Sequence, residues 1–203
     1  MAVNGDQILG VILAGGQARR MGGGDKGRLM LGGESLIGRV ISRLSPQVTA
    51  LVLNANGDPE RFADLGLPVV PDDLPGHPGP LAGILAGMEA AARRGRSHVV
   101  SVAADTPFLP ATLVADLAQA PGPIAMACAG GRRQPVCALW PVALRTDLRA
   151  ALEAGVAKIV QWAAPHGISD VAFPEAAFFN INTAEDLAEA RRLAQEGACG
   201  SRQ

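Results

Sequence analysis

The sequence predicts an α/β fold, with a doubly wound and largely parallel sheet flanked by helices and an antiparallel excursion in the C-terminal half. Two observations predict it. From residue 8 to residue 104, short runs rich in β-branched residues alternate with stretches of helical periodicity. Beyond Pro121, the stretch PIAMACAGGRRQPVCALW instead has the pattern of two consecutive strands joined by a glycine-arginine turn.

The first elements form a βαβ unit. Residues 8–13 are predicted to be a strand, and residues 48–54 (VTALVLN) are predicted to be the next one. Between them, apolar residues at helical spacing share one helix face: Leu36, Ile37, Val40, Ile41 and Leu44. A short helix over residues 59–65 and a strand over residues 67–70 follow.

The second long helix begins at Pro80, a residue suited to a first helical turn, and Gly95 is placed to end it. Its predicted core residues are Leu81, Ile84, Leu85 and Met88. Three glycines spaced four apart leave a bare helix face that can approach a sheet or a ligand closely: Gly79, Gly83 and Gly87. A strand over residues 98–104 comes next.

The C-terminal half adds the two antiparallel strands, helices over residues 142–153 and 156–164, and a strand around Val171. The segment AAFFNINTAED then leads into a final helix that ends at about Gln195. Because no repeat or linker divides the chain, residues 1–203 are predicted to form one domain, with residues 1–7 and 196–203 flexible.

Composition argues against several classes of protein. The formal net charge of -1, from 18 basic and 19 acidic residues, gives no general attraction for nucleic acid. No apolar stretch is long enough for a signal segment or a membrane span, which predicts a cytoplasmic protein with no membrane partner. The three cysteines and three histidines lack the spacings of a disulfide framework or a zinc site, and no GxSxG motif indicates a serine hydrolase.

The segment ILAGGQARRMGGGDKG, residues 12–27, contains six glycines and three cationic side chains, Arg19, Arg20 and Lys26. It lacks the GxxxxGK[ST] pattern of a P-loop, and its GxGxxG match begins nine residues after Leu13, too far from the strand for a dinucleotide fingerprint. Glycines allow backbone N–H groups to approach an anion closely, and the cations neutralise its charge. We therefore expect a phosphate-binding loop.

Three parts of this loop, LAGG at residues 13–16, RMG at 20–22 and DK at 25–26, together resemble the LAGGxxxRMGxxK signature of nucleotidyltransferases that activate sugars, polyols and cofactors. The longer run LAGGQARRMGGGDKG is similar in particular to the molybdenum cofactor guanylyltransferase family. The similarity continues in NAN at 54–56, PGPLAG at 78–83, DTP at 105–107 and NINT at 180–183. It implies a Rossmann-like domain that transfers GMP from GTP to the terminal phosphate of Mo-molybdopterin and releases pyrophosphate.

Such a reaction requires cations and oriented N–H groups around the phosphates. By the resemblance, GTP would be bound by Leu13, Ala14, Gly15, Gly16, Arg20 and Gly22. Lys26 would pair with the triphosphate. Asp105, which ends the strand-like run VVSVAAD, is the candidate ligand of Mg2+, because magnesium needs one or two carboxylates besides substrate phosphates. The alternative role for Asp105 is that of a turn-forming residue before Thr106.

Recognition of guanine calls for an acceptor of its N1–H and exocyclic amine. Asp72 follows the strand-like run LPVV and aligns with an aspartate that the family uses to bind GTP, and Asp73 is the alternative. Asn54 aligns with a second nucleotide-binding position. Residues 79–83, beginning with Gly79, are expected to form the wall beside the base.

The second substrate has weaker candidates. Asn180 and Asn182 alternate along a predicted strand, and the family motif directs them toward the metal and the molybdopterin; Thr183 also suits the N-cap of the final helix. Arg132 and Arg133, on the predicted turn, are candidates for the molybdopterin phosphate or for ordinary solvated turn residues.

Two other functions stay open at this point. A cytidylyltransferase acting on the same cofactor would share the fold and the loop and differ where the base is recognised. A non-catalytic adaptor that binds nucleotide or molybdopterin would keep the glycines but would not need both Lys26 and Asp105. Molybdoenzyme apoproteins or cofactor-delivery proteins are further candidate partners, and a sugar-phosphate nucleotidyltransferase is disfavoured because such enzymes are commonly longer.

Overall fold

A central sheet organises the computed structural model, which describes residues 5–15, 26–74, 79–181 and 183–200. The strands are β1 (Ile8–Leu13), β2 (Met30–Leu31), β3 (Glu34–Ser35), β4 (Ala50–Asn54), β5 (Val69–Val70), β6 (His98–Ala103), β7 (Ile124–Ala129), β8 (Arg132–Pro141) and β9 (Ile168–Phe173). The α-helices are α1 (Leu36–Leu44), α2 (Pro80–Arg93), α3 (Leu113–Ala118), α4 (Arg145–Glu153), α5 (Ile159–Ala163) and α6 (Ala184–Gly200).

Seven strands pair in the order β5-β4-β1-β6-β8-β7-β9. Strand β8 runs antiparallel to both of its neighbours, and the other pairings in this sheet are parallel. The chain moves outward from β1 through α1 to β4 and β5, and then returns through α2 to β6 on the other side of β1. The direction of winding therefore reverses between β1 and β6, where the crevice of a doubly wound sheet lies. The predicted fold class is confirmed.

Helices cover both faces of the sheet. One face packs against α1 and α3, with Val40 and Leu113 buried in that core. The opposite face packs against α2, α4 and α5, with Leu85 and Leu148 buried there. Trp140 of β8 lies fully buried in this second core, with its ring centroid 5.8 Å from that of Trp162. Among the described residues, no helix combines the length and the apolar character that a membrane crossing requires.

Several boundaries differ from the prediction. The predicted helix over residues 142–153 is a 3-10 turn, Val142–Leu144, followed by α4, and the final helix continues to Gly200, beyond Gln195. The short helix Pro59–Leu65 is of the 3-10 type. Helix α3 and the β2-β3 hairpin were not predicted, because elements of two to six residues are too short to show a clear period.

The predicted strand through Asn180 is wrong. Residues 179–181 have no regular secondary structure, and Asn182 lies outside the described residues. The N–H group of Ile181 donates to the carbonyl oxygen of Asp105 (3.4 Å) rather than to a strand ladder. This segment nevertheless lies directly beside the end of β6.

Candidate functional site

The carboxyl ends of three neighbouring parallel strands form the floor of a cavity of about 370 Å³. Beyond the strands, the N–H group of Ala14 donates to the carbonyl oxygen of Asn54 (2.9 Å), and the N–H group of Ala104 donates to that of Leu13 (3.1 Å). These bonds continue the ladder past the strand ends and fix the three segments against one another. Residues that are 41 to 92 positions apart in the chain, namely Leu13, Asn54 and Asp105, therefore border one cavity.

Most of the described residues that were predicted to bind nucleotide line this cavity: Leu13, Ala14, Gly15, Lys26, Asn54, Asp72, Gly79 and Asp105. Its lining also includes Gly27, Asn56, Pro80, Ala103, Ala104 and Val136. Gly16, Arg20, Gly22 and Asn182, which the sequence also indicated, lie outside the described residues.

Lys26 enters the cavity at the start of a 3-10 turn, Lys26–Arg28. Gly27 is buried, and a Cβ atom there would lie 3.2 Å from Cβ of Ile37 and 3.3 Å from Cβ of Ala104, so a glycine lets this turn lie close to α1 and to the end of β6. Arg28 anchors the far side of the turn, because its guanidinium donates to both carboxylate oxygens of Asp64. Lys26 is thereby presented by a fixed segment of backbone.

The charged centre of the cavity is the pair of Lys26 and Asp105. The Lys26 Nζ atom lies 3.9 Å from Oδ2 of Asp105, and the two side chains are 22% and 20% exposed. Burial raises the pKa of Asp105, while the positive charge of Lys26 and a backbone hydrogen bond lower it; burial is the largest effect. The surrounding protein groups therefore offset only part of the free-energy cost of burying the ionised carboxylate.

Two asparagine side chains hold the carboxylate of Asp72. Asn54 Nδ2 donates to Oδ1 of Asp72 (2.9 Å), and Asn56 Nδ2 donates to Oδ2 (2.7 Å). Asn56 also accepts, through Oδ1, the backbone N–H group of Asp72 (2.9 Å). Asn54 is only 5% exposed and also donates to the carbonyl oxygen of Val70 (3.1 Å). The orientation of the Asp72 carboxylate is therefore defined by the ends of β4 and β5.

Helix α2 supplies the opposite wall. Gly79 has a φ of +150°, a conformation that L side chains rarely adopt, and Pro80 occupies the first helical turn. Gly83, one turn further, leaves room for Asn54: a Cβ atom on Gly83 would lie 2.2 Å from the Asn54 Oδ1 atom. Because the positive end of the dipole of this 14-residue helix lies at the cavity, the wall favours anions.

The described residues that were predicted to bind molybdopterin do not converge on the cavity as the predicted GTP-binding residues do. Asn180 is exposed, one residue before the Ile181 that bonds to Asp105. Arg132 and Arg133 were predicted to lie on a turn, but the turn is formed by Gly130 and Gly131, and the two arginines are the first residues of β8. The Arg133 guanidinium forms two hydrogen bonds with the Asp170 carboxylate, at 2.7 and 3.0 Å. None of the three belongs to the described lining of the cavity.

Asn56 and Val136 are cavity residues that the site prediction missed. Asn56 could have been found from its spacing, because it lies two residues after Asn54 and side chains two apart in an extended segment point to the same side. Val136 lies in an irregular part of β8. Between two successive pairs with β7, Met126 with Ala138 and Cys128 with Arg133, β7 advances by two residues and β8 by five. Its carbonyl oxygen accepts the Ser101 hydroxyl (2.6 Å), a contact for which the sequence contains no pattern.

Comparison with known proteins gives concordant matches. Residues 10–168 match the family model described as the MobA-like NTP transferase domain. A molybdenum cofactor guanylyltransferase of Bradyrhizobium sp. (strain ORS 278) is 53% identical over 197 residues, which cover 92% of this chain and 93% of the relative. One from Cereibacter sphaeroides is 51% identical over 195 residues, covering 95% and 100%.

Among solved structures, molybdopterin-guanine dinucleotide biosynthesis protein A from Archaeoglobus fulgidus matches with a TM-score of 0.71 and 26% identity, covering 93% of this chain and 99% of that one. The region matched by the family model includes every described residue that lines the cavity. The similarity therefore covers the candidate site.

Proposed function

The chain belongs to the family of MobA-like NTP transferase domains, and we propose on this premise that it is a nucleotidyltransferase that transfers GMP from GTP to the terminal phosphate of Mo-molybdopterin. A phosphate oxygen of molybdopterin forms a bond to the α-phosphorus of GTP. The bond from that phosphorus to the bridging oxygen of the β-phosphate breaks, and pyrophosphate leaves. The product is molybdopterin guanine dinucleotide.

The single observation that carries this proposal is the convergence of Lys26, Asp105 and Asp72 on one cavity at the reversal point of the sheet. These residues come from three separate segments, which the sequence and its family resemblance connected with triphosphate, metal and base. Names of the relatives agree, since both are called molybdenum cofactor guanylyltransferase. Fold and chemistry thus support the same reaction.

In this reaction the chain mainly positions two anionic substrates and stabilises developing charge, because phosphoryl transfer requires little covalent participation by the protein. Lys26 neutralises oxygens of the triphosphate, and further backbone N–H donors are expected, from the sequence, in the glycine-rich segment after Gly15, which lies outside the described residues. The first turn of α2 contributes its positive dipole from the other side. Together they hold the α-phosphate in line for attack.

The residues present fit a divalent metal ion, and we propose Mg2+. Asp105 is a hard oxygen ligand that follows the end of β6. Lys26 offsets only part of the cost of burying its negative charge, and a second cation would offset the rest. The described residues contain no group of three or more potential metal-binding side chains. This agrees with the way magnesium binds, through one or two carboxylates together with substrate phosphates and water. When bound, Mg2+ would neutralise charge on the nucleotide phosphates.

Recognition of the base is assigned to Asp72. Its carboxylate accepts one asparagine donor on each oxygen, which leaves further lone pairs for the N1–H and exocyclic amine of guanine. Cytosine does not present this pair of donors. The cytidylyltransferase alternative is disfavoured for this reason, and the adaptor is disfavoured because a carrier has no need for the Lys26–Asp105 pair.

For molybdopterin, we propose Asn180 and Asn182 near the metal and Arg132 and Arg133 at the phosphate. Asn180 is supported by the bond that joins the adjacent Ile181 to Asp105. The arginines are supported by the position of the β7-β8 hairpin, at the same end of the sheet as the carboxyl end of β6. Apoproteins of molybdoenzymes or cofactor-delivery proteins are proposed as recipients of the product, and the cytoplasm is proposed as the location.

An assay of pyrophosphate release with each of the four nucleoside triphosphates, with and without Mo-molybdopterin, tests the proposal. We expect release with GTP that depends on molybdopterin and on Mg2+. Preferential release from CTP would support the cytidylyltransferase. Binding of GTP without any turnover would support the adaptor.

A further inference from the structure

Asn56 contacts Asp72 more extensively than Asn54 does, although only Asn54 was expected in the site. Asn56 Nδ2 donates to Oδ2 of Asp72 (2.7 Å), and the backbone N–H group of Asp72 donates to Oδ1 of Asn56 (2.9 Å). The same side chain therefore restrains both the carboxylate and the main chain of Asp72. Such a two-point contact fixes the rotation of the carboxylate as well as its position.

Asn56 is itself restrained. Arg61 donates to its carbonyl oxygen (2.8 Å), and the Arg61 guanidinium lies 4.7 Å from the ring centroid of Phe62, which is buried. The asparagine is thus connected through the 3-10 helix Pro59–Leu65 to the hydrophobic core. An exposed residue whose backbone is fixed in this way can hold a neighbouring carboxylate in one orientation.

We propose that Asn56 is a positioning residue for base selection, which acts by orienting the Asp72 carboxylate toward the two donors of guanine. The proposal rests on the proposed function, in which Asp72 accepts those donors. A carboxylate can form two parallel hydrogen bonds to guanine only when its plane coincides with that of the base. The Asn54 and Asn56 amides, one on each carboxylate oxygen, restrict the carboxylate to one plane.

The test is the affinity of the full-length protein for GTP and for inosine triphosphate (ITP), measured by calorimetry with Mg2+. ITP keeps the N1–H group and lacks the exocyclic amine, so the ratio of the two dissociation constants reports the second hydrogen bond. For Asn56→Ala we expect the Kd for GTP to rise about tenfold, the usual consequence of losing one charge-assisted bond. We expect a smaller change for ITP, so that the preference for GTP falls.

A second variant separates the loss of the hydrogen bond to Asp72 from the loss of side-chain volume. Asn56→Asp has nearly the same size and keeps the acceptor for the N–H group of Asp72, but it places a carboxylate oxygen where the donor stood, opposite the Asp72 carboxylate. Because like charges at this distance repel, Asp72 should rotate away. We expect Asn56→Asp to lose at least as much GTP preference as Asn56→Ala, whereas a purely structural residue would tolerate the isosteric change.

Asp58→Ala is the matched control. Asp58 lies in the same loop, is exposed, accepts the N–H group of Glu60 as the cap of the 3-10 helix and is not part of the described cavity lining. The Asp58→Ala variant should keep the ratio of the dissociation constants for GTP and ITP that the unsubstituted chain has. Thermal unfolding of all three variants establishes that they are folded, and only folded variants are compared.

The outcomes distinguish this inference from the proposed function. If the original chain prefers GTP over ITP and CTP while both Asn56 variants keep that preference, Asn56 does not orient Asp72 and the inference is overturned. If the original chain shows no preference for GTP over CTP, the proposed function itself fails. A reduced GTP preference in both variants, with Asp58→Ala unchanged, supports the positioning role.

Discussion

At the scale of single residues, folding and phosphate chemistry make opposite demands on Asp105. Burial raises the pKa of its carboxyl group above the value in an unfolded chain, even with Lys26 nearby. The folded protein therefore binds this proton more tightly than the unfolded chain does. The resulting stabilisation is complete below the unfolded pKa of about 3.9 and is lost as the pH rises through the folded-state pKa.

Asp105→Asn should consequently be more stable than the original chain at neutral pH. Asparagine keeps the size of the side chain and removes the charge whose desolvation destabilises the folded state. We expect a higher free energy of unfolding at pH 7, measured by urea denaturation with a chelator present, and a difference that shrinks as the pH falls toward about 4. Equal or lower stability of the variant at pH 7 would mean that the carboxylate is well compensated without a metal.

Lys26→Ala should remove activity without a comparable loss of stability. A partly exposed pair with 3.9 Å between nitrogen and oxygen contributes about 0 to 1 kcal/mol. Loss of a charge-assisted contact in the transition state typically costs 100-fold or more in rate. The chain has one other lysine, Lys158, which is exposed at the N-cap of α5, so Lys158→Ala is the matched control. Turnover that survives in Lys26→Ala would remove this residue from the phosphate site.

At the scale of elements, α2 contains interior glycines that lower its helix propensity and let the helix form one wall of the cavity. Gly83 and Gly87 lie inside the helix, where each glycine costs about 1 kcal/mol relative to alanine. Gly83 faces Asn54, and Gly87 faces Val11 of β1; a Cβ atom on Gly87 would lie 2.9 Å from Cγ1 of that valine. One glycine therefore makes room for the site and the other makes room for the core.

This difference predicts distinct effects of two similar variants. Gly83→Ala should displace the Asn54 side chain, break its bond to Asp72 and weaken GTP binding, with a loss of stability of about 1 to 3 kcal/mol. Gly87→Ala should lose stability in the same range and bind GTP as the original chain does. Calorimetric titration with GTP, combined with thermal unfolding, separates the two effects. Equal GTP affinity in both variants would show that Gly83 serves packing alone.

The same elements explain how much the sequence could predict. Strands β1 and β6 and helices α1 and α2 have long periodic patterns, and their predicted positions agree with the structure within one or two residues. Helix α3 and the β2-β3 hairpin are too short to carry a period. Residues around Asn180 were assigned to a strand because apolar and polar residues alternate there, but a tertiary bond from Ile181 to Asp105 replaced strand pairing.

At the scale of the whole molecule, the location of the site follows from topology. Leu13, Asn54 and Asp105 could be grouped in advance because they end strand-like runs, and the ends of parallel strands meet at one edge of a sheet. The partners of a side chain could not be predicted in the same way. The bond between Asn56 and Asp72 depends on the register of β4 and β5, and the position of Val136 depends on an irregularity in β8.

Transfer of GMP to molybdopterin by this chain is measured most directly by following the α-phosphorus of GTP. The chain is incubated with Mo-molybdopterin, Mg2+ and GTP labelled at the α-phosphate, in parallel with CTP labelled in the same way. If the chain is a guanylyltransferase, label from GTP appears in molybdopterin guanine dinucleotide, with far less transfer from CTP. Label that stays in the nucleotide, or that is transferred preferentially from CTP, would contradict this function.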